Sequence, residues 1–248
     1  MRKTFAILAI TILTASLAFG QADKPSSDAK TATTAKPATT SGSATKPTAI
    51  IDTAVGKMTC TLFPDKAPIG VANFIGLATG TKDWKNPVSG ATKHGVPLYD
   101  GTIFHRVIPG FMIQGGDPAG TGSGKDPIPP FKNEVSSDLL FDRPGRLAYA
   151  NTGQINSNSS QFFITEVATP HLNGGYTIFG QCDEATVALV KQIAHMARDP
   201  SNDKPLRPVR ITHITILKPG ASTATKPAGS AAKKPSATTP KTSNPVDK

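Results

Sequence analysis

The segment FHRVIPGFMIQGGD, residues 104–117, is the part of the sequence that decides the fold. Two short apolar runs, residues 102–108 and 111–114, flank the pair Pro109-Gly110, a pattern that predicts two strands joined by a tight turn. Strand interiors favour apolar and β-branched side chains, so Arg106 must lie on an exposed face, find a partner or point into a site. This stretch alone is equally compatible with a solvated arginine and with a functional one.

Length and charge limit the number of domains and the kinds of partner. The chain has 248 residues and a net charge of +10, and its ends are strongly biased in composition, so we expect one domain, residues 49–218. That domain holds sixteen Lys and Arg residues against fourteen Asp and Glu residues. Because the excess positive charge lies in the two ends, the sequence predicts no basic folded face and no nucleic-acid partner.

The first twenty residues have the pattern of a secretory signal peptide, residues 1–20. A basic start, Met1-Arg2-Lys3, precedes an apolar run over residues 5–19, and Ala18-Phe19-Gly20 supplies small residues at the spacing of a cleavage site. The run is short for a spanning helix, so an uncleaved anchor is the less favoured alternative. We therefore expect an exported protein, periplasmic or secreted, with no stable membrane insertion after cleavage.

Two segments beside the domain, residues 21–48 and 219–248, are rich in Ala, Thr, Ser, Lys and Pro and hold almost no large apolar residues. Such chains cannot bury enough apolar surface to offset the entropy lost on ordering, so we expect disordered N- and C-terminal tails. The N-terminal tail would act as a spacer. The lysines of the C-terminal tail are expected to be solvated, with contact to a polyanion or to the cell wall as the alternative.

Within the domain, short β-patterns outnumber helical ones. A hairpin is predicted over residues 49–63, a first helix opens at Pro68 and ends at Gly80, and a second helix covers residues 185–196. The region 81–98 has turn residues without a period and is predicted to be a surface loop. Further strands are predicted at residues 147–150, 160–165, 177–181 and 209–217. About eight short strands with two helices favour a barrel or a sandwich.

Other motifs bear on cofactors and cysteine chemistry. The five histidines show no short ligand spacing and the two cysteines stand apart, so no metal or other cofactor is predicted. The glycine-rich run at residues 120–125 has Ala119 and Asp126 where a phosphate-binding loop needs Gly and Ser or Thr. Either a disulfide or two buried thiols fits Cys60 and Cys182, and the alternation of Cys60 with Thr favours the thiols.

Three stretches together resemble the cyclophilins, a family of peptidyl-prolyl cis-trans isomerases. They are residues 104–117, residues 146–165 with the runs RLAYANTG and NSSQFFIT, and residues 171–180 with HLNGGYTIFG. They occur in the order of the family and close to its spacing, and the resemblance covers about residues 48–218. It implies a mainly β fold, a closed eight-stranded antiparallel barrel capped by two α-helices, with an active groove on the outer surface.

The resemblance also implies roles for individual residues. Arg106 matches the catalytic arginine, whose guanidinium points at the proline nitrogen, and Gln161 matches a residue that steadies it. Gln114 and Asn151 match groups that hold the peptide backbone. The substrate-binding set implied in this way is His105, Phe111, Met112, Gln114, Gly120, Thr121, Ala150, Asn151, Gln161, Phe163, His171, Leu172 and Tyr176.

Residue type and family pattern disagree at several of these positions. By type alone, Phe111, Met112 and Phe163 would be core residues, and only the resemblance assigns them to a pocket for the proline ring. The family often has a tryptophan where this chain has His171, and a histidine where it has Tyr176. Loss of the indole predicts weak cyclosporin binding, whereas Tyr176 keeps an aromatic wall with a polar tip.

The function predicted from the sequence is acceleration of X-Pro bond rotation in exported or folding proteins. The expected partners are proline-containing peptide segments, and the expected state is a monomer. No bond breaks in this reaction, so it needs no cofactor. Two alternatives stay open: a non-catalytic chaperone module of the cell envelope that binds proline-containing segments, and a wall-associated structural protein that works through its lysine-rich tails.

Overall fold

The computed structural model describes residues 46–218. The predicted signal peptide and nearly all of the two predicted tails therefore lie outside the described residues. The described part is mainly β with two α-helices, as predicted. In chain order its elements are β1 (Thr48–Thr53), β2 (Gly56–Leu62), α1 (Pro68–Thr79), β3 (Trp84–Lys85), β4 (Thr92–Lys93), β5 (Arg106–Ile108), β6 (Met112–Gly115), β7 (Arg146–Tyr149), β8 (Phe162–Thr165), the 3-10 turn η1 (Pro170–Leu172), β9 (Ile178–Cys182), α2 (Glu184–Ala194) and β10 (Ile211–Leu217).

Eight of the strands form one antiparallel sheet in the order β10-β1-β2-β9-β7-β8-β6-β5. The expected closed barrel is wrong: β10 and β5 are the two edges of a half-barrel. The physical reason is that β5 has only three residues, and the chain before it meets the residue that precedes β10 through a single isolated bridge, Ile103 with Arg210. Backbone hydrogen bonds such as Ile211 N–H to the Thr102 carbonyl, 2.8 Å, support this seam without making a ladder.

Residues typical of helix ends stand at both ends of α1 and at the start of α2. Proline stands in the first turn of α1, and Gly80 ends that helix in the left-handed region with φ 75°. At the start of α2, the Asp183 carboxylate accepts a hydrogen bond from the Thr186 N–H. Neither helix between residues 46 and 218 is long and apolar enough to cross a membrane.

The predicted surface loop at residues 81–98 contains a small sheet of its own. The strands β3 and β4 pair through Trp84 with Lys93 and Lys85 with Thr92. The Trp84 indole N–H donates to the Val96 carbonyl over 2.8 Å, while its ring is buried against the core. A tryptophan that packs on the core therefore orders a stretch that lacks any periodic pattern.

The two cysteines form a disulfide, so the expectation of two buried thiols is wrong. Cys60 on β2 lies directly opposite Cys182 on β9, because these strands pair in that register. The alternation around Cys60 shows which face it occupies but carries no information on a strand 122 residues away. The bond links the first hairpin of the domain to the strand that precedes α2.

Side chains on β6, β7 and β8 alternate between two separate apolar clusters. Ile113, Leu147 and Ile164 point inward, where they join the main core together with residues of α1, α2, β1 and β2. Their neighbours point outward and form a smaller outer cluster: Met112, Ala148 and Phe163, with Phe141 and Ile178. The groove described below lies on this outer cluster.

At the other end of the sheet, β1 pairs with β10 from Thr48 opposite Leu217 to Thr53 opposite Ile211. The first and last strands of the domain are thus neighbours. The ladder shifts register between Asp52 and Thr53, close to the point where the chain before β5 meets β10.

Candidate active site

The hairpin of β5 and β6 places Arg106 opposite Gln114 on the outer face of the sheet. The side chain of Arg106 is 42% exposed, and its Nε lies 3.7 Å from Oδ2 of Asp203. Asp203 is itself held by Arg198, whose Nε donates to Oδ1 over 3.0 Å. Asp203 therefore lies close enough to pair with the Arg106 guanidinium at the edge of the groove.

A pocket of about 90 Å³ opens beside Arg106. Its lining combines apolar side chains with a guanidinium and amide groups. All nine lining residues belong to the set expected from the sequence: Arg106, Phe111, Met112, Gln114, Ala150, Asn151, Phe163, Leu172 and Tyr176. Residues scattered over about seventy positions of sequence thus converge on one small hollow.

Aromatic packing fixes the walls of this pocket. The Phe163 ring stacks on Phe141 with centroids 5.9 Å apart, and Tyr176 meets Phe163 edge to face at 5.6 Å. On the other side, His171 packs against Phe111 at 5.7 Å. Offset and edge-on contacts of this kind hold rings in defined orientations, so the pocket keeps its shape without a ligand.

Amide side chains line the polar side of the groove. Nε2 of Gln114 donates to Oε1 of Gln161 over 2.9 Å, and Nε2 of Gln161 donates to the Gly122 carbonyl over 3.3 Å. Gln161 therefore steadies Gln114, whereas the expectation from the sequence was that it steadies Arg106. Asn151 donates from Nδ2 to the Gly175 carbonyl over 2.9 Å, which joins the rim to the loop after η1.

Two further hollows extend the groove on either side of Gln114. The larger, about 520 Å³, is lined by His105, Arg106, Gln114, Thr121, Gly122, Ser123, Asn151, Asn202 and Lys204. The smaller, about 170 Å³, is lined by Gln114, Gly122, Asp126, Ala150, Asn151, Thr152, Ser157, Ser159 and Gln161. Sequence reasoning missed Asn202 and Lys204, because nothing local marks the loop before β10 as part of the site.

Two predicted residues do not line any of these hollows. Gly120 lies behind the rim, and its carbonyl accepts a hydrogen bond from Lys204 Nζ at 3.3 Å. His171 is exposed and reaches the pocket only through its contact with Phe111. The other twelve predicted residues border at least one hollow.

A buried carboxylate organises the loop beside Arg106. Asp117 accepts hydrogen bonds from the backbone N–H groups of Ala119, Thr121 and Gly122, at 2.8 to 2.9 Å. Burial alone would raise the pKa of Asp117, but these donors and the nearby His105 outweigh it and hold that pKa below its usual value. The loop therefore keeps its shape while Asp117 is ionised.

His105 lies beneath this loop and is only 4% exposed. Burial lowers the pKa of His105, and the Asp117 carboxylate offsets only part of that effect. A Cβ at Gly122 would come within 2.9 Å of the His105 ring, so only glycine lets the loop approach this closely. His105 is therefore a neutral packing residue at the base of the larger hollow.

Among residues 46–218, no three His, Cys, Asp or Glu side chains come together as a metal site would require. The groups that face the pocket are a guanidinium, amides and apolar rings. A guanidinium stays protonated, and a small apolar slot suits a ring that has no N–H donor. The fold and site thus define a class: a β half-barrel with an external groove for peptides that contain proline.

Comparison with known proteins gives the family. Residues 48–216 match the model of the cyclophilin type peptidyl-prolyl cis-trans isomerase/CLD family. The chain is 49% identical over 170 residues to peptidyl-prolyl cis-trans isomerase A of Mycobacterium tuberculosis, covering 68% of this chain and 91% of that one. It is 45% identical over 169 residues to isomerase B of Streptomyces anulatus, covering 68% and 95%.

A solved structure agrees with these relatives. The crystal structure of a Cryptosporidium parvum cyclophilin type isomerase, in the presence of the dipeptide Ala-Pro, aligns with a TM-score of 0.57 at 35% identity, over 68% of this chain and 98% of that one. The chain belongs to the cyclophilin-type peptidyl-prolyl cis-trans isomerases. Its activity is the cis-trans isomerisation of X-Pro bonds.

Proposed function

We propose that Arg106 is the catalytic residue of this isomerase and that its clients are exported proteins. The single observation that supports the first part is the position of the guanidinium. It stands at the edge of a 90 Å³ pocket whose other walls include Phe111, Met112 and Phe163. In this proposal, a proline ring seated in that pocket has its nitrogen on the side of Arg106.

The physical basis is the electronic change during rotation. Partial double-bond character gives the X-Pro amide a rotation barrier of about 18–20 kcal/mol. In the twisted state the nitrogen regains a lone pair, so a donor aimed at it binds that state better than either planar form. Only such differential binding raises the rate, and each 1.36 kcal/mol of preference gives about tenfold. Arg106 can supply it without any proton transfer.

The polar rim has a second task. While the amide twists, the flanking peptide must stay in place, and the side-chain amides of Gln114 and Asn151 border the pocket on that side. The bond from Gln114 to Gln161 fixes the orientation of the Gln114 amide. We assign Gln114 and Asn151 to holding the peptide backbone and Phe111, Met112, Phe163 and Leu172 to gripping the ring.

Substitution of Arg106 tests this assignment. Removing one preorganised donor to a transition state lowers rates by about 10²–10³-fold in other enzymes, so Arg106→Ala should lower kcat/KM about 100-fold. Affinity for an X-Pro peptide, measured by NMR titration, should change less than about threefold. Arg143, an exposed arginine paired with Asp142 outside the groove, provides the control Arg143→Ala. Full activity of Arg106→Ala would contradict the assignment, and a wild type that binds without turnover would favour the chaperone alternative.

Two observations support an exported protein. The sequence over residues 1–20 has the basic, apolar and small-residue pattern of a signal peptide. The disulfide between Cys60 and Cys182 fits an oxidising compartment, because such bonds seldom persist in the cytosol. Fractionation of cells that express the full chain, with mass spectrometry of its N-terminus, tests this. A mature form starting at Gln21 outside the cytosol is expected, and an intact cytosolic chain would contradict export.

We also propose a monomer that binds cyclosporin weakly. The large apolar side chains exposed between residues 46 and 218 are scattered, such as Val88, Ile155 and Leu206, rather than gathered on one element. The position occupied by His171 offers an imidazole with less apolar area than an indole. Light scattering should give one chain per particle, and a titration that shows tight cyclosporin inhibition would refute the second expectation.

A further inference from the structure

We propose that Glu166 is a positioning residue for the isomerase, which holds the turn between Arg106 and the proline pocket. This inference rests on the proposed role of Arg106. Glu166 follows β8 directly and stands outside the groove, with a side chain only 6% exposed. A buried carboxylate needs donors for its oxygens, and the identity of those donors gives the role.

The partners of the carboxylate belong to the catalytic hairpin and to the residue that follows α2. Oε2 of Glu166 accepts from the Gly110 N–H over 2.8 Å, and Oε1 lies 2.9 Å from Nε2 of His195. The Glu166 backbone N–H also donates to the Phe111 carbonyl over 2.8 Å. One residue therefore joins the turn of β5 and β6, the end of β8 and the residue that follows α2.

Other contacts of the turn are sparse. Gly110 is exposed and adopts φ 68°, and a Cβ placed there would meet no atom within 4 Å. Within the turn, the Phe111 N–H donates to the Ile108 carbonyl over 3.1 Å. Since side-chain packing does not fix Gly110, two hydrogen bonds of Glu166 tie this turn to the end of β8: its carboxylate accepts from Gly110, and its N–H donates to Phe111.

The turn matters because it separates two parts of the site. Arg106 lies on β5 before it, and Phe111 and Met112 follow it at the start of β6. Movement of the turn changes the distance between the guanidinium and the pocket that holds the ring. A misplacement of about 1 Å can lower a rate by 10²-fold. Loss of one hydrogen bond at this turn can therefore lower kcat/KM measurably.

His195 completes the arrangement from the opposite side. It caps α2, and its ring, 50% exposed, bonds to the oxygen of Glu166 that does not face Gly110. This second bond orients the carboxylate plane toward the turn. The expected order of functional loss is therefore Glu166→Ala first, Glu166→Gln next, because glutamine keeps one acceptor oxygen, and His195→Gln last.

The chain offers a matched control. Glu134 also uses its carboxylate to accept two backbone hydrogen bonds, from Ile69 at 3.0 Å and from Gly70 at 2.8 Å. These donors lie at the start of α1, and Glu134 borders none of the three hollows of the groove. Loss of either carboxylate removes comparable bonds, but only the loss at Glu166 affects the catalytic hairpin.

The test combines kinetics with NMR on the full chain. Glu166→Ala should lower kcat/KM about tenfold per folded molecule, Glu166→Gln about threefold and His195→Gln about twofold. Glu134→Ala should lower Tm yet leave kcat/KM per folded molecule unchanged. The Gly110 amide proton donates to a carboxylate, which should shift its resonance downfield. That resonance should move upfield in Glu166→Gln and Glu166→Ala and stay in place in Glu134→Ala.

The outcomes separate this inference from the role of Arg106. The Gly110 amide shift reports the contact whether or not Arg106 is catalytic, and Arg106→Ala should leave it unchanged. An unmoved Gly110 resonance in Glu166→Gln, or equal activity losses in Glu166→Ala and Glu134→Ala, would overturn the proposal. If Glu166→Ala does not fold, Glu166→Gln and His195→Gln carry the same readouts, and full activity in both would also overturn it.

Discussion

The inner and outer faces of strands β6, β7 and β8 share one backbone but have different tasks. Inward, Ile113 and Ile164 pack in a core that also takes side chains from both helices. Outward, Met112 and Phe163 are almost as buried, yet they border an open hollow with polar groups on its rim. Burial alone therefore does not separate structural residues from site residues in this sheet.

The two faces differ in the chemical groups that surround each side chain. Inward residues pack in a mainly apolar cluster away from the groove, so their contribution is to the free energy of unfolding. Outward residues have a guanidinium and amides within the same hollow, so they can contact a ligand that is part ring and part peptide. If this division is correct, changes on the inner side should alter stability and changes on the outer side should alter turnover.

The largest expected effect is that of removing the disulfide, whose cysteines lie on the inner side. A bridge that closes 122 residues should stabilise the domain by about 4 kcal/mol, mainly by restricting the unfolded chain. Cys60→Ala with Cys182→Ala should lower the free energy of unfolding, measured by urea titration, by that amount, while kcat/KM of the folded fraction at low temperature stays within twofold. A large loss of activity in the folded fraction would show that the inner side also sets the groove.

The adjacent residues Ile164 and Phe163 give the next test, because they lie on opposite faces of the same strand. Ile164→Ala should lower the free energy of unfolding by about 2–5 kcal/mol and leave KM unchanged, because it opens a cavity in the core. Phe163→Ala should raise KM for an X-Pro peptide about tenfold, because the proline ring loses apolar contact worth about 1.4 kcal/mol. Urea unfolding measures the free energy of unfolding, and steady-state kinetics measures KM. If the two variants changed both quantities equally, the proposed division between the inner and outer faces would be wrong.

The smallest expected effect concerns His105, which is buried at the base of the larger hollow. Its folded-state pKa is lowered by burial, so below the unfolded value of about 6.5 the unfolded chain binds more protons. The stabilisation is complete above that pH and declines as the pH falls toward the folded pKa. Wild type should therefore lose more stability than His105→Gln between pH 7.5 and pH 5. Equal losses by urea titration would show that His105 is not held neutral.

Much of this arrangement follows from local sequence. The turn at Pro109-Gly110, the two helices and most strands are marked by short patterns that lie within a few residues of one another. The pocket residues came from resemblance, since residue type alone placed Phe111, Met112 and Phe163 in a core. The structure shows why type misleads here, because these side chains form a small cluster of their own outside the main core.

The features that the sequence did not give depend on distant pairing. The partner of Cys60 is set by the register of β2 with β9, and the half-barrel results from the short β5. Asp203 and Lys204 reach the groove from a loop nearly one hundred residues after Arg106. No periodicity connects such segments, so only the folded sheet brings them together.

The neighbouring positions of Thr48 and Leu217 have one more consequence. Since these residues are paired across neighbouring strands, the polypeptide enters and leaves the domain at the same place on its surface. The segments that continue from it, residues 21–48 with a charge of +2 and residues 219–248 with +4, start from that same spot. A surface that bound both segments would hold the domain through one site. A linker of a few residues between the two ends of the domain could also close it into a circular chain.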